Sequence, residues 1–168
     1  MGWMGKIVRV NLSNRSFEYE EIDAKRLKNF IGGRGLGISY LLEEVDPGVD
    51  PLSPENKLIM MTGPLTGTAA PTGARYMVMT KSPLTGAVTC SNSGGQFPAM
   101  LKRTGIDGVI FEGRSDTPVY LWVEDDKVEL RDAGQVWGKN THETDEWLRS
   151  QTQAEAKAAI ESLEWEWL

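Results

Sequence analysis

Residues 63–95 place six glycines and three prolines in 33 positions, with threonine and serine between them. That density denies the stretch any long helix, because each glycine or proline in a helix interior costs about 1 to 3 kcal/mol relative to alanine. What remains is short strands joined by long turns, predicted at 75–80 and 87–91 with a turn over 83–86. Small residues also let a large flat or concave ligand approach the main chain. Arg75 is the only cation from Gly63 up to Lys81. A guanidinium at a strand entry can hold phosphate through two parallel hydrogen bonds, or it can pair with an acid; residue types alone leave both readings open. Asn92-Ser93-Gly94-Gly95 is predicted to open a helix over 96–104, whose free N–H groups would suit a second anion. Pro98 sets that helix start near Gly94 or Gly95.

On either side the pattern is that of an ordinary folded chain. Alternation over 6–12 and 17–22 predicts a hairpin. Asp23 is positioned to cap a helix over 24–31, and a second helix is predicted over 36–45. Strands are predicted over 57–62, 108–113, 119–124 and 127–132, the last two joined at Asp125-Asp126. Helices follow over 141–150, with Thr141 as its cap, and over 154–163. Eight strands and five helices without a strict βαβ rhythm predict an α+β fold of mixed sheets with packed helices. The hairpins at 6–22 and 119–132 match in length and alternation, which allows an internal duplication.

Composition excludes several classes. At 168 residues the chain suits one domain, or two small ones, with a real core. A net charge of −6 argues against a partner bound by neutralising nucleic-acid phosphates. One cysteine, Cys90, and one histidine, His142, exclude an intrachain disulfide, a protein-built iron–sulfur cluster and histidine-rich metal sites. No apolar run approaches a membrane span, and a reducing, cytoplasmic setting is expected. Gly32-Gly33-Arg34-Gly35-Leu36-Gly37 reads either as an anion-facing loop or as a close-packed helix corner. Cys90 reads as a buried inert thiol, His142 as an exposed residue of a first helical turn. Trp165 and Trp167 are unusual for a free tail.

Taken as ordered blocks, the residues resemble a known family. Gly5-Lys6-Ile7-Val8-Arg9-Val10-Asn11-Leu12-Ser13 is similar to the opening strand of the tungsten-dependent aldehyde ferredoxin oxidoreductases. So are residues 50–59, Thr62-Gly63-Pro64-Leu65-Thr66-Gly67-Thr68, Ala70-Pro71-Thr72-Gly73-Ala74-Arg75-Tyr76, Thr80-Lys81-Ser82-Pro83-Leu84-Thr85-Gly86, Asn92-Ser93-Gly94-Gly95 and Val136-Trp137-Gly138-Lys139. Order and spacing hold across roughly residues 3–150. The resemblance implies an N-terminal base domain beneath tungsten, or molybdenum, carried by two molybdopterin dithiolene cofactors. It implies that Arg75 contacts a pterin or its phosphate, that Asn92, Ser93, Gly94 and Gly95 are cofactor-binding, and that the Asn92 carbonyl ligates a Mg²⁺ bridging the two pterin phosphates. The implied chemistry is oxidation of an aldehyde to a carboxylic acid, with electrons leaving through a [4Fe–4S] cluster to ferredoxin. That cluster and the substrate groups belong to further domains.

Residues 1–150 carry the resemblance, and 151–168 read as a divergent or truncated helical tail. The expectation is therefore a domain inactive alone, without catalytic residues of its own. The alternative is a non-catalytic phosphate- or pterin-binding module, or a docking subunit that completes a split enzyme with another chain. An exposed concavity of Gly, Ala and Thr further predicts self-association. A generic nucleotide enzyme ranks low, for no recognised phosphate loop is present.

Overall fold

The computed structural model describes residues 2–125, 127–152 and 156–160. Eight strands and four helices are found there. β1 (Lys6–Asn11) and β2 (Ser16–Glu21) form the first hairpin, followed by α1 (Ala24–Phe30) and α2 (Gly33–Glu44). Then come β3 (Lys57–Thr62), β4 (Tyr76–Lys81), β5 (Val88–Ser93), α3 (Phe97–Arg103) and β6 (Gly108–Glu112). A second hairpin, β7 (Val119–Glu124) and β8 (Lys127–Asp132), precedes α4 (Thr141–Gln151).

Six strands make one mixed sheet in the order β2-β1-β6-β3-β4-β5, in which only β1 and β6 run parallel. Alternation sends side chains to two faces, and each face has its own core. Ile7, Ile59, Met61, Met79 and Ile110 pack with Leu27, Leu36, Tyr40 and Leu41 of the first two helices. Val8, Val10 and Val109 pack with Leu101 and Ile106 on the other face, joined by Val128 of the second hairpin. The α+β expectation is met. The two look-alike hairpins take unlike places: the first lies within the large sheet, the second forms a separate two-stranded sheet over its face.

Three expectations are corrected at element ends. α2 begins at Gly33 rather than Leu36, so most of the glycine cluster lies inside the helix. A Cβ on Gly37 would fall 1.7 Å from Met79 Cε and 3.4 Å from Ile59 Cγ2, so the cluster serves close helix–sheet packing. α4 is capped by Asn140, which accepts from the Glu143 amide at 3.0 Å while Glu143 answers to the Asn140 amide, so Thr141 is the first helical residue. The helix predicted over 154–163 is absent at 156–160, and the rest of it, with Trp165 and Trp167, lies outside the described residues. Alanine-rich composition favours a helix, but one this short depends on tertiary packing.

Candidate functional site

β4 starts one residue after Arg75, and Asn92 stands opposite Met77 on β5. Alternation therefore puts Arg75, Met77 and Asn92 on one face of the sheet. The Arg75 guanidinium crosses to β5 and donates through Nη1 to Asn92 Oδ1 at 2.7 Å, with both residues exposed. A Cβ on Gly94 would lie 3.5 Å from Arg75 Nε, so Gly94 rests against the same side chain. The structure thus brings Arg75, Asn92 and Gly94 together. Ser93 pairs with Tyr76 and points to the opposite face, while Gly95, at φ 81°, turns the chain towards α3.

The helix expected to start near Gly94 or Gly95, with Asn92-Ser93-Gly94-Gly95 as its opening, starts later. Asn92 and Ser93 are the last two residues of β5, and α3 starts at Phe97 with Pro98 in its first turn. Ladder pairing to β4 has overridden the turn chemistry of Asn-Ser-Gly-Gly, so these two residues offer no helix N-terminus. They offer a sheet edge instead. Ser82 N donates to Ala87 O at 2.8 Å, which sets the antiparallel phase of the β4–β5 ladder. By alternation, the main-chain N–H and C=O groups of Val88, Cys90 and Asn92 face away from β4, at the open edge. The Asn92 side-chain oxygen is engaged by Arg75, whereas its main-chain carbonyl points outward. Cys90, expected to be buried, is half-buried on this edge strand.

The loop ahead of Arg75 is braced by its own hydroxyls and amides. Thr66 Oγ1 accepts from Gly63 N at 3.2 Å and donates to Arg75 O at 3.0 Å. Gly73 N donates to Ala70 O at 3.2 Å, and Arg75 N to Gly73 O at 3.0 Å. A Cβ on Gly73 would lie 2.9 Å from Leu65 O, so only glycine closes the loop this tightly.

Beneath the loop lies a feature that sequence reasoning missed. Lys102 and Asp107 form an ion pair with 0% and 1% of their surface exposed. Lys102 Nζ also donates to Gly63 O at 3.3 Å, and Asp107 Oδ2 accepts from Gly5 N at 2.7 Å. The available signal was a lysine four residues after Pro98 on the apolar side of α3, with an acid five residues on. A second cluster sits under the C-terminal end of α2. Arg9 bridges Glu20 and Glu44, Lys57 reaches Glu44 at 3.1 Å and Glu112 at 2.7 Å, and Tyr40 Oη donates to Glu20 at 2.9 Å. Burial would raise the Glu44 carboxyl, but hydrogen bonds from Arg9 and Lys57 outweigh it and hold the group below its ordinary value. Burial, reinforced by Glu20, pushes the Tyr40 phenol up; the Glu44 hydrogen bond, against burial, does the same for Arg9.

No group of three or more His, Cys, Asp or Glu side chains that could hold a metal ion occurs among the described residues. No helix there is long and apolar enough to cross a membrane. An exposed guanidinium, an outward carbonyl and small neighbours suit a phosphate-bearing ligand accompanied by a hard cation.

The sequence profile of the aldehyde ferredoxin oxidoreductase N-terminal domain matches residues 7–161. This chain belongs to that family. It is 55% identical over 150 residues to the tungsten-containing aldehyde ferredoxin oxidoreductase of Pyrococcus horikoshii, covering 89% of this chain and 25% of the relative. To the Pyrococcus furiosus protein of the same name it is 51% identical over 162 residues, covering 96% and 27%. An aliphatic sulfonate oxidoreductase, WOR-like subunit, from the same organism is 39% identical over 137 residues, covering 80% and 22%. Among solved structures, the active-site complex BamBC of benzoyl coenzyme A reductase with 1,5-dienoyl-CoA superposes with a TM-score of 0.87. That match is 38% identical and covers 89% of this chain and 23% of the other. This aldehyde ferredoxin oxidoreductase N-terminal domain thus spans about a quarter of the curated relatives it matches.

Proposed function

We propose that this domain is the base on which a tungsten or molybdenum bis-molybdopterin cofactor rests, within an aldehyde:ferredoxin oxidoreductase whose cluster and substrate groups are supplied from outside this chain. The observation that carries the reading is the Arg75–Asn92 pair at the open sheet edge. There an exposed guanidinium bonded to Asn92 and an outward main-chain carbonyl lie on one edge, with Gly94 against the Arg75 side chain. The donor set fits the group: Arg75 would hold a pterin or its phosphate, and the Asn92 carbonyl would help hold a Mg²⁺ that accompanies it. Gly94 and Gly95 would add main-chain contacts, whereas the Ser93 main chain faces Tyr76 of β4 and is not free to do so. When bound, the cofactor supplies the two-electron chemistry that converts an aldehyde to a carboxylic acid, electrons passing through a [4Fe–4S] cluster to ferredoxin. This chain's own part is to bind and orient.

The range of relatives supports that division. Proteins named for aldehydes, for aliphatic sulfonates and for benzoyl coenzyme A all contain a counterpart of this domain. A platform shared by such different substrates supports the cofactor better than it selects among them. The quarter-length coverage admits a second reading, in which the remaining parts come from a partner subunit.

Tungsten, molybdenum and pterin content measured on the purified chain, alone and with the cysteine-bearing domains added, tests the proposal. Loading that falls at least about tenfold in Arg75→Gln, and less in Arg75→Lys, is expected. Equal loading of wild type and Arg75→Gln would overturn the reading. Loading only when the other domains are added as a separate chain would favour the split enzyme.

A further inference from the structure

Three buried groups tie the Arg75–Asn92 pair to the protein interior. Lys102 is wholly buried, and its ammonium is divided between the Asp107 carboxylate and the Gly63 carbonyl. Asp107 is buried too, and its remaining acceptors are occupied: Oδ2 by Gly5 N at 2.7 Å, and its main-chain oxygen by Thr62 Oγ1, also at 2.7 Å. Gly63 N donates in turn to Thr66 Oγ1, and Thr66, 2% exposed, donates to the main-chain oxygen of Arg75. Arg75 then reaches Asn92. Hydrogen bonds joined through the covalent frames of Gly63 and Arg75 therefore link a buried ion pair, by way of one hydroxyl, to the residue that carries the exposed guanidinium. The stem of Lys102 also floors the loop, since a Cβ on Gly67 would lie 3.4 Å from Lys102 Cβ.

We infer that Lys102, Asp107 and Thr66 are positioning residues: through Gly63 they set the place of Arg75, and so the ligand-facing geometry of the Arg75–Asn92 pair. The physical reason is the absence of alternatives. A buried ammonium cannot leave its carboxylate cheaply, so Gly63 is held where Lys102 holds it. Thr66, 2% exposed, has only Gly63 and Arg75 as partners for its hydroxyl among the described residues. Arg75 itself is exposed, and without this anchor its backbone would be placed by its amide bond to Gly73 O within the same loop and by β4 pairing that starts one residue later.

The inference rests on the cofactor-base reading for its purpose, and the experiment separates the two. The Arg75 Nε–Hε and Asn92 side-chain amide resonances of the full 168-residue chain report the pair directly, without any ligand. Inorganic pyrophosphate titrated into the same samples reports anion binding. Thr66→Val keeps shape and removes the hydroxyl; Thr66→Ser restores it. The expected result is displaced Arg75 and Asn92 resonances and pyrophosphate binding weakened about tenfold in Thr66→Val. Thr66→Ser is expected to match wild type, and Lys102→Met to reproduce the Thr66→Val shifts if it folds. Wild-type resonances and affinity in Thr66→Val would overturn the inference, whatever that variant does to the melting temperature. If wild type and Arg75→Gln bind pyrophosphate equally, the cofactor-base reading fails while the resonances still decide the positioning role.

Discussion

A lysine and an aspartate with almost no exposed surface are the most consequential side chains that sequence pattern passed over. Desolvation of two charges costs several kcal/mol per ion and is offset only when the pair is well hydrogen-bonded, as it is here by Gly5 and Gly63. Removing one partner leaves the other charged and stranded. Lys102→Met is expected to destabilise the domain by about 3–5 kcal/mol. Lys102→Met combined with Asp107→Leu is expected to recover part of that loss, since no buried charge remains. Urea denaturation of the single and double variants checks both, and a double variant worse than the single would contradict the argument. Arg75 is the opposite case. Its place at a strand entry was legible in the sequence, because a lone cation among small residues stands out in the chain itself; its exposure was not.

Between the first two helices the chain reverses in very little space. Ile31 has φ 66° and ψ −55°, and Gly32 N donates to Phe30 O at 2.7 Å, which together make a γ-turn at a β-branched residue. That conformation is sparsely populated for such a side chain and costs on the order of 1–3 kcal/mol. Ile31 is 61% exposed, so its side chain contributes little burial to offset the strain. Ile31→Gly is expected to raise stability by about 1 kcal/mol after the added chain entropy of glycine is subtracted. A rise of a few degrees in thermal midpoint would show it, and an unchanged or lower midpoint would show that the turn is relaxed. The glycines at 32–37 were visible as a cluster, but the helix predicted from 36 starts at Gly33. Glycine is a poor helix former locally, and close packing favours it there: a Cβ would meet Met77 Cγ at Gly33, Phe30 O at Gly35 and Met79 Cε at Gly37.

The ion cluster of Arg9, Glu20, Glu44, Lys57 and Glu112 joins β1, β2, β3, β6 and α2, so its titration acts on the molecule as a whole. Glu44 is held below its ordinary value in the fold, so the folded state binds fewer protons there than the unfolded chain. Its contribution is complete above the unfolded carboxylate range, about 4.3, and is lost as pH falls through the lower folded value. Glu44→Gln is expected to lower stability at neutral pH and to flatten the acid limb of the stability–pH curve. Urea midpoints measured from pH 7 down to 3 would test this, and parallel curves for wild type and variant would refute it.

The amino-acid sequence alone determined the strands, their alternation, the α+β class and the family blocks, because all of these depend on local periodicity and on residues close in the chain. The Asp23 cap was legible in the same way; its carboxylate accepts from Arg26 N at 3.1 Å. Tertiary structure alone decided the strand order, the separation of two similar hairpins into different sheets, and the extension of β5 through Ser93. It alone put Arg75 against Asn92 and Lys102 beneath Gly63. Those contacts join residues 17 and 39 positions apart. Contacts at such separations follow from which faces must be buried together, and that is a property of the packed molecule rather than of any stretch of chain.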